Sequence, residues 1–357
     1  MFEFLARWPA ALYLRAHRRT FRRRLARQTV FEQLYVVSVG NLSAGGTGKT
    51  PVALLLAEQL RGRGVPALAV LRGYGGTASK TGLLVSDGTR VFADLRAAGD
   101  EALLFARAPG LRVAVGRDRV SAILRFAGDA RVVLLDDAFQ NPLVGRDHEL
   151  VLIDALVPLR KMLVFPAGRF REPPEALSRA DTIVLTRADL APPEQLDELT
   201  QMIARNAPRA AVFRGRHAPG PVVSGGWRGS SLAESTIVKL APGTRVGAFC
   251  GLGNPDGFFR SLSEGPHRLD VVYKRAFADH HPYTAADVRA LFRQADRAGL
   301  SDLNLITSAK DFVRLAGLPD LPEDLRRRIL VLEISFEVLE NRQAEFLKRV
   351  IGPALLE

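Results

Sequence analysis

Residues 35–50 read Tyr-Val-Val-Ser-Val-Gly-Asn-Leu-Ser-Ala-Gly-Gly-Thr-Gly-Lys-Thr, and no other stretch constrains the fold so strongly. An apolar, β-branched run ends in a glycine-rich loop, which closes on Gly48-Lys49-Thr50. Pro51 and a helical pattern (Val52, Leu55, Leu56, Leu60) follow. Strand, glycine loop, Lys-Thr and helix is the order a phosphate-binding loop requires. In such a loop the backbone N–H groups of residues 43–50 face inward, and the helix N-terminus adds its positive dipole end. Ser43, Ala44, Gly45, Gly46, Thr47 and Gly48 would form the cradle. Lys49 would reach the β/γ-phosphates, and the Thr50 hydroxyl would ligate Mg²⁺. Ser43 stands where the usual pattern begins with glycine.

The chain has 357 residues, 47% of them hydrophobic and 25% charged, enough for two globular α/β domains. Its single cysteine, Cys250, excludes an intramolecular disulfide framework and a multi-cysteine zinc site, and fits a reducing compartment. The formal net charge of +12 calls for an anionic partner. Residues 1–27 hold eight arginines against Glu3 alone, which is +7 of that +12. Among the arginines lie Trp8, Leu12, Tyr13, Leu14 and Phe21. No apolar run there is long enough to span a bilayer, and the pattern is not that of a secretory signal. A basic segment with aromatic and leucine residues suits a helix lying on an anionic membrane surface.

Short apolar runs at 67–71, 112–115, 132–135, 150–153 and 182–185 alternate with helical patterns. That alternation predicts βα units and a mostly parallel sheet, with functional groups at the carboxyl ends of its strands. Glycine and proline crowd residues 214–244, which reads as a connector between a domain at 28–213 and a smaller α/β domain at 245–357. In the latter, strands are expected at 245–249, 269–273, 303–307 and 329–333, with a last helix from Gln343 to Ile351.

Several motifs lie where those strands end. The run 132–135 leads into Asp136-Asp137, an apolar strand ending in carboxylates that could hold Mg²⁺ together with Thr50. Arg72-Gly-Tyr74-Gly-Gly follows the run 67–71, where Arg72 and Tyr74 could contact an anionic sugar. Gly99-Asp100-Glu101 opens a helical stretch. Its acids either complement the helix dipole or supply the carboxylate that phosphoryl transfer to a hydroxyl needs. Asp279-His280-His281-Pro282 offers a second acid–base pair. Thr307-Ser-Ala-Lys310-Asp311 loosely matches a guanine-reading loop, and equally a helix start capped by Thr307 or Ser308.

In this order the motifs resemble those of the tetraacyldisaccharide 4′-kinases, the lipid A kinases. The matching segments are 40–51, Arg72 to Gly76, Gly99-Asp-Glu101, Asp136-Asp137 with Phe139-Gln140, and Pro166-Ala-Gly-Arg-Phe-Arg171-Glu-Pro173. In the second half they are Gly251-Leu-Gly-Asn-Pro255, Asp279-His280 and 307–311. The resemblance spans nearly the whole chain. It implies a P-loop domain and a smaller α/β domain with the active site in the cleft between them. It also implies transfer of the γ-phosphate of ATP, with Mg²⁺, to the 4′-hydroxyl of an acylated glucosamine disaccharide 1-phosphate, at the cytoplasmic face of the bacterial inner membrane. By the same likeness Asp100 is the base with His280 assisting and Lys49 binds the phosphates. Glu101, Asp136, Asp137 and Thr50 serve the metal; Arg72, Tyr74, Gln140, Asn141 and Arg171 serve the lipid head group. Asn141 stands where the family usually has histidine, which removes a titratable group. The other class of function compatible with these residues is a GTPase-like or nucleic-acid-binding NTPase. The lack of base-stacking aromatic motifs argues against a nucleic-acid partner, and no motif calls for an obligate protein partner.

Overall fold

A computed structural model describes residues 2–228, 231–232, 235–279, 281–300, 302–318 and 320–355. A long helix, α1 (Phe2–Leu25), leads into β1 (Tyr35–Asn41), α2 (Lys49–Arg61), β2 (Ala67–Leu71) and β3 (Leu83–Asp87). The chain continues through α3 (Leu95–Ala98), α4 (Asp100–Ala106), β4 (Leu111–Val115), α5 (Arg119–Phe126), β5 (Val132–Asp136), β6 (His148–Asp154), β7 (Thr182–Thr186) and α6 (Pro193–Asn206). The second half comprises β8 (Ala211–Ser224), the short β9 (Trp227–Arg228) and β10 (Ser231–Leu232), β11 (Arg245–Cys250), α7 (Pro255–Ser263), β12 (Asp270–Ala276) and α8 (Ala285–Arg297). It ends with β13 (Leu305–Ser308), α9 (Ala309–Ala316), α10 (Glu323–Arg327), β14 (Ile329–Val338) and α11 (Gln343–Ile351).

Twelve strands join in one sheet, in the order β12-β11-β13-β14-β8-β7-β6-β1-β5-β2-β4-β3. The expected mostly parallel α/β fold is therefore present. β1 lies between β5 and β6, parallel to both, and is buried along nearly its whole length. Strands covered on both faces read as continuous apolar runs rather than alternating ones, as Val132-Val-Leu-Leu135 does. Helix α2 lays Val52, Ala53, Leu56, Ala57 and Leu60 on the sheet, a stripe at helical spacing, so the phosphate loop is fastened to the core just beyond its last residue.

Two expectations need correction. The connector expected at 214–244 begins inside a strand: β8 pairs in parallel with β7 through Arg214, then antiparallel with β14 from Gly215 to Ser224. Its glycine and proline content misleads because those residues have positional roles. Pro219 and Pro221 stand where the β8–β14 register shifts between Leu332 and Ile334, so the lost ladder donors fall at an irregularity. At Gly215 an added Cβ would come within 2.1 Å of the buried Phe336 ring.

The second correction concerns the expected domain at 245–357. Phe336, Val338, Phe346, Val350 and Ile351 pack in the same core as Val37, Val52 and Leu56, and the Phe346 ring meets Phe213 edge-on at 5.4 Å. The chain thus returns to the N-terminal half at the end of β14, and α11 closes the core under α2. Truncating a fully buried phenylalanine typically removes about 3–5 kcal/mol. Phe346→Ala should therefore lower the denaturant midpoint of the transition that also unfolds the phosphate-loop core. A loss below about 1 kcal/mol in that transition would detach α11 from the core.

Candidate active site

The phosphate loop leaves β1 and returns at α2 through two left-handed glycines, Gly45 (φ 118°) and Gly48 (φ 82°). A Cβ on Gly45 would come within 2.6 Å of the Arg169 guanidinium, and one on Gly48 within 2.1 Å of the His217 ring. Gly48 is thus fixed by conformation and by space; Gly45 is fixed by conformation alone, since the end of the Arg169 side chain can swing aside. No side chain caps the start of α2, so its first N–H groups are left for a ligand. Asn41 Nδ2 donates to Thr47 Oγ1 at 2.8 Å, and Thr186 Oγ1, at the end of β7, donates to Thr47 O at 3.0 Å. A second loop is laced to the first: Ala44 N donates to Arg169 O and Arg171 N to Leu42 O, both at 2.7 Å. Ser43 lies within this lacing, bridged to Phe170.

Beside the loop, β5 ends in the two carboxylates. Asp137 takes a left-handed conformation (φ 48°), which turns the chain out of the strand. Its carboxylate lies 3.4 Å from Lys49 Nζ and accepts both of its oxygens' bonds from Arg171 Nη1, at 3.0 and 2.8 Å. Burial pushes the Asp137 carboxyl up, but Lys49 and Arg171 outweigh it and hold the group below its ordinary value. Asp136 shows the opposite balance. Burial, reinforced by the Glu101 charge and only partly offset by Lys49, raises its carboxyl to about 7. Asp136 Oδ1 is buried with no hydrogen-bond partner among the described residues. Arg119, a residue the sequence did not single out, donates from Nη2 to the Asp136 carbonyl at 2.8 Å.

The Arg72-Gly-Tyr-Gly-Gly and Gly99-Asp-Glu segments form one unit. Gly99 is left-handed (φ 83°), and a Cβ there would lie 2.4 Å from Tyr74 O; one on Gly76 would lie 2.5 Å from Ala97 O. Glu101 is thereby close enough for its charge to act on Asp136, and Arg72 close enough to act on Arg119. Tyr74 is exposed. Gln140 Nε2 donates to Asn41 O (2.8 Å) and to Glu172 (3.3 Å), while its Oε1 accepts from Arg171 (3.2 Å). Asn141 occupies the following turn, its Oδ1 accepting from Leu143 N at 3.5 Å. Glu172 also pairs with Arg179 at 2.7 Å and approaches His17 of α1 at 3.8 Å.

The family model described as LpxK, tetraacyldisaccharide-1-P 4′-kinase, matches residues 5–352. The chain belongs to the tetraacyldisaccharide-1-P 4′-kinase family. The tetraacyldisaccharide 4′-kinase of Anaeromyxobacter sp. (strain K) is 39% identical over 326 residues, covering 90% of this chain and 82% of that one. That of Chlorobaculum parvum is 34% identical over 359 residues, covering 98% and 94%. A solved structure, the "apo" form of LpxK from Aquifex aeolicus in complex with ATP, superposes with a TM-score of 0.73 at 25% identity, covering 97% of each chain.

For a member of this family, the structure gathers Lys49, Asp136, Asp137, Glu101, Gln140 and Arg171 around the phosphate loop, with Thr50 in the adjoining first turn of α2. Asp100, at the start of α4, is held instead by Arg314 of α9, whose Nη2 and Nε lie 2.6 and 3.1 Å from its Oδ2. His280 lies outside the described residues. Its neighbour His281 stacks on Phe277 and bonds Asp287, which completes the capping box that Thr284 opens at the start of α8, a structural role. The guanine-loop likeness of 307–311 is not realised. Asp311 is fully buried, accepting from Gly251 N (3.0 Å) and Ser308 Oγ (2.7 Å), and Ser308 caps α9. Sequence reasoning missed Arg119, Glu172, Thr186, His217 and Arg314; Glu172 alone carried a signal, within the quoted 166–173 motif.

A carboxyl whose folded value is raised binds its proton more tightly in the folded chain. Its contribution is therefore largest at low pH and is lost as pH rises towards the folded value. For Asp136, raised from 3.8 to about 7, that window runs from about pH 4 to about pH 7. Asp136→Asn, which mimics the neutral form, should stabilise the ligand-free protein at pH 8 by about 1–4 kcal/mol and change little at pH 4. Denaturant unfolding at the two pH values reads the difference. Equal effects at both would remove the buried-charge assignment.

Proposed function

We propose that this chain transfers the γ-phosphate of ATP to the 4′-hydroxyl of a tetraacyl glucosamine disaccharide 1-phosphate, the kinase step of lipid A synthesis. Family membership supplies the reaction class. The observation that carries the reading is the buried Asp136 oxygen, without a hydrogen-bond partner among the described residues, close to Lys49 at the mouth of an uncapped phosphate loop. A hard cation with oxygen ligands satisfies such an oxygen, and Asp136, Glu101, Asp137 and Thr50 are the donors that would hold Mg²⁺. Bound there, Mg²⁺ supplies charge neutralisation at the phosphate oxygens. The chain's own groups do the rest. Backbone N–H groups of residues 43–50 and Lys49 hold the phosphates, and Lys49 and Arg171 place positive charge where negative charge shifts during transfer. Gln140, Asn141, Arg171, Arg72 and Tyr74 orient the disaccharide. Asp100 accepts the proton of the 4′-hydroxyl, with His280 assisting, as the family likeness implies.

Incubation with labelled ATP, Mg²⁺ and the disaccharide 1-phosphate should give a 4′-phosphorylated lipid. Lys49→Ala should reduce kcat by about 10²-fold or more, because transition-state charge loses its nearest cation. Turnover within twofold of the wild type by that variant would dismiss the phosphate-loop reading.

The lipid acceptor brings the chain to a membrane. No helix among the described residues is long and apolar enough to cross one. Helix α1 turns Tyr13, His17 and Phe21 towards the site loop, where Tyr13 meets Phe165 and Arg179 lies over the Phe21 ring. Trp8 and Leu12 (84% and 70% exposed) and Arg15, Arg18, Arg19, Arg22 and Arg23 face outward. We read that outward face as the peripheral contact with the anionic cytoplasmic leaflet. Each surface arginine contributes about 1 kcal/mol of attraction, so Arg15, Arg18 and Arg22 changed together to Gln should weaken binding to anionic vesicles by about 100-fold. Undiminished co-sedimentation of that variant would place the contact elsewhere.

A further inference from the structure

Arg314 is tied to both halves of the molecule. Its guanidinium is nearly buried (5% exposed) and reaches across 214 residues of sequence to Asp100. On the other side Nη1 donates to Asp311 Oδ1 at 3.1 Å, and the Asp311 side chain is completely buried. Asp311 is in turn anchored by Gly251 N and Ser308 Oγ. A continuous polar chain therefore runs from the loop after β11, through Asp311 and Arg314, to the first residue of α4. A second strut joins the same halves: Arg107 pairs with Glu333 at 2.6 Å and lies 5.0 Å from the Phe312 ring centroid.

We propose that Arg314 is a positioning residue for phosphoryl transfer, holding the Asp100 carboxylate in place from the opposite half of the molecule. The inference rests on the reading of Asp100 as the base. Two features of the geometry support it. First, Nε and Nη2 converge on the single oxygen Oδ2, while Oδ1 accepts from Glu101 N at 2.9 Å, so the plane of the carboxylate is set from two directions. Second, the fork spans two carboxylates at once, and a lysine ammonium, a point donor on a flexible stem, cannot reproduce that. The general base would then be in register only while α9 is docked on α4, which makes proton transfer conditional on closure of the two halves.

The test is a set of variants of the full chain, read by kcat, KM for ATP and thermal midpoint. Arg314→Lys should lower kcat by about 10- to 100-fold, as loss of a supporting partner typically does, with KM for ATP unchanged. Guanidinium, at concentrations far below denaturing ones, should restore turnover to Arg314→Ala. In an Asp100→Asn background, Arg314→Lys should cause no further loss. Glu333→Gln, which cuts only the other strut, should lower the thermal midpoint without lowering kcat. Wild-type kcat in Arg314→Lys, beside an inactive Asp100→Asn, overturns the inference and leaves the base reading standing. Wild-type turnover in Asp100→Asn overturns both. A kcat loss in Glu333→Gln matching that of Arg314→Lys, or no rescue by guanidinium, would reduce Arg314 to a docking contact and overturn its positioning role.

Discussion

The antiparallel pairing of β8 with β14 is the constraint on which the rest of this architecture depends. The first residues of β8 extend the parallel sheet beside β7, and the remainder runs past the carboxyl end of β7. At about 3.3 Å per residue, the ten residues from Gly215 to Ser224 carry the chain about 30 Å beyond that edge. Because β14 lies antiparallel there, and β13 and β11 follow β14 in parallel, the C-terminal strands point back towards the N-terminal ones. Two carboxyl edges thus face one another. Open α/β sheets place ligands at such edges, and here the loops and helices that follow the two edges touch, Arg314 reaching Asp100 and Arg107 reaching Glu333. A connection with the opposite hydrogen-bonding sense would have left Asp100 and Arg314 far apart.

Around the phosphate loop the charges are arranged against the stability of the empty protein. The Glu101 charge acts on the buried Asp136, and Asp137 is the group that receives the cations Lys49 and Arg171. An arrangement optimised for the ligand-free chain would give Asp136 a donor of its own. Its buried oxygen has no hydrogen-bond donor among the described residues, and burial together with the Glu101 charge disfavours the ionised carboxylate. The two adjacent aspartates therefore differ in environment: Asp137 is paired with Lys49 and Arg171, while Asp136 keeps a buried oxygen without a donor among the described residues.

The rim is built from the N-terminal helix. His17 lies beside Glu172, and Glu172 in turn bonds Gln140 and Arg179. Gln140 bonds Arg171 and Arg171 bonds Asp137. A helix whose outer face carries Trp8, Leu12 and exposed arginines is thus connected through four side chains to the carboxylate beside Lys49. Burial, aided by the charges of Arg179, Arg24 and Arg18, outweighs Glu172 and lowers the basicity of His17, so the helix meets the site through an imidazole that favours its neutral form. That chain of contacts sets the outward face of α1 close to the phosphate loop.

The sequence alone determined what depends on local pattern. A β-branched run, a glycine loop, Lys-Thr and an amphipathic stripe specify a phosphate loop between β1 and α2, because backbone conformation and helix start are short-range properties. Apolar runs ending in acids located β5, and the arginine excess of residues 1–27 was plain from composition. Only the tertiary structure decided the remainder. β8 was hidden because its prolines and glycines are tolerated at a register shift and beneath Phe336, compensations supplied by β14 far along the chain. Helix α11 reads as the end of a second domain, yet packs under α2 because its apolar face finds Phe213 there. Asp311 looks like a base-reading acid and is a buried anchor, and Asp100 looks like a helix cap and is gripped by Arg314. Each of these outcomes turns on which groups desolvate one another, and that is fixed by contacts between distant segments rather than by any spacing along the chain.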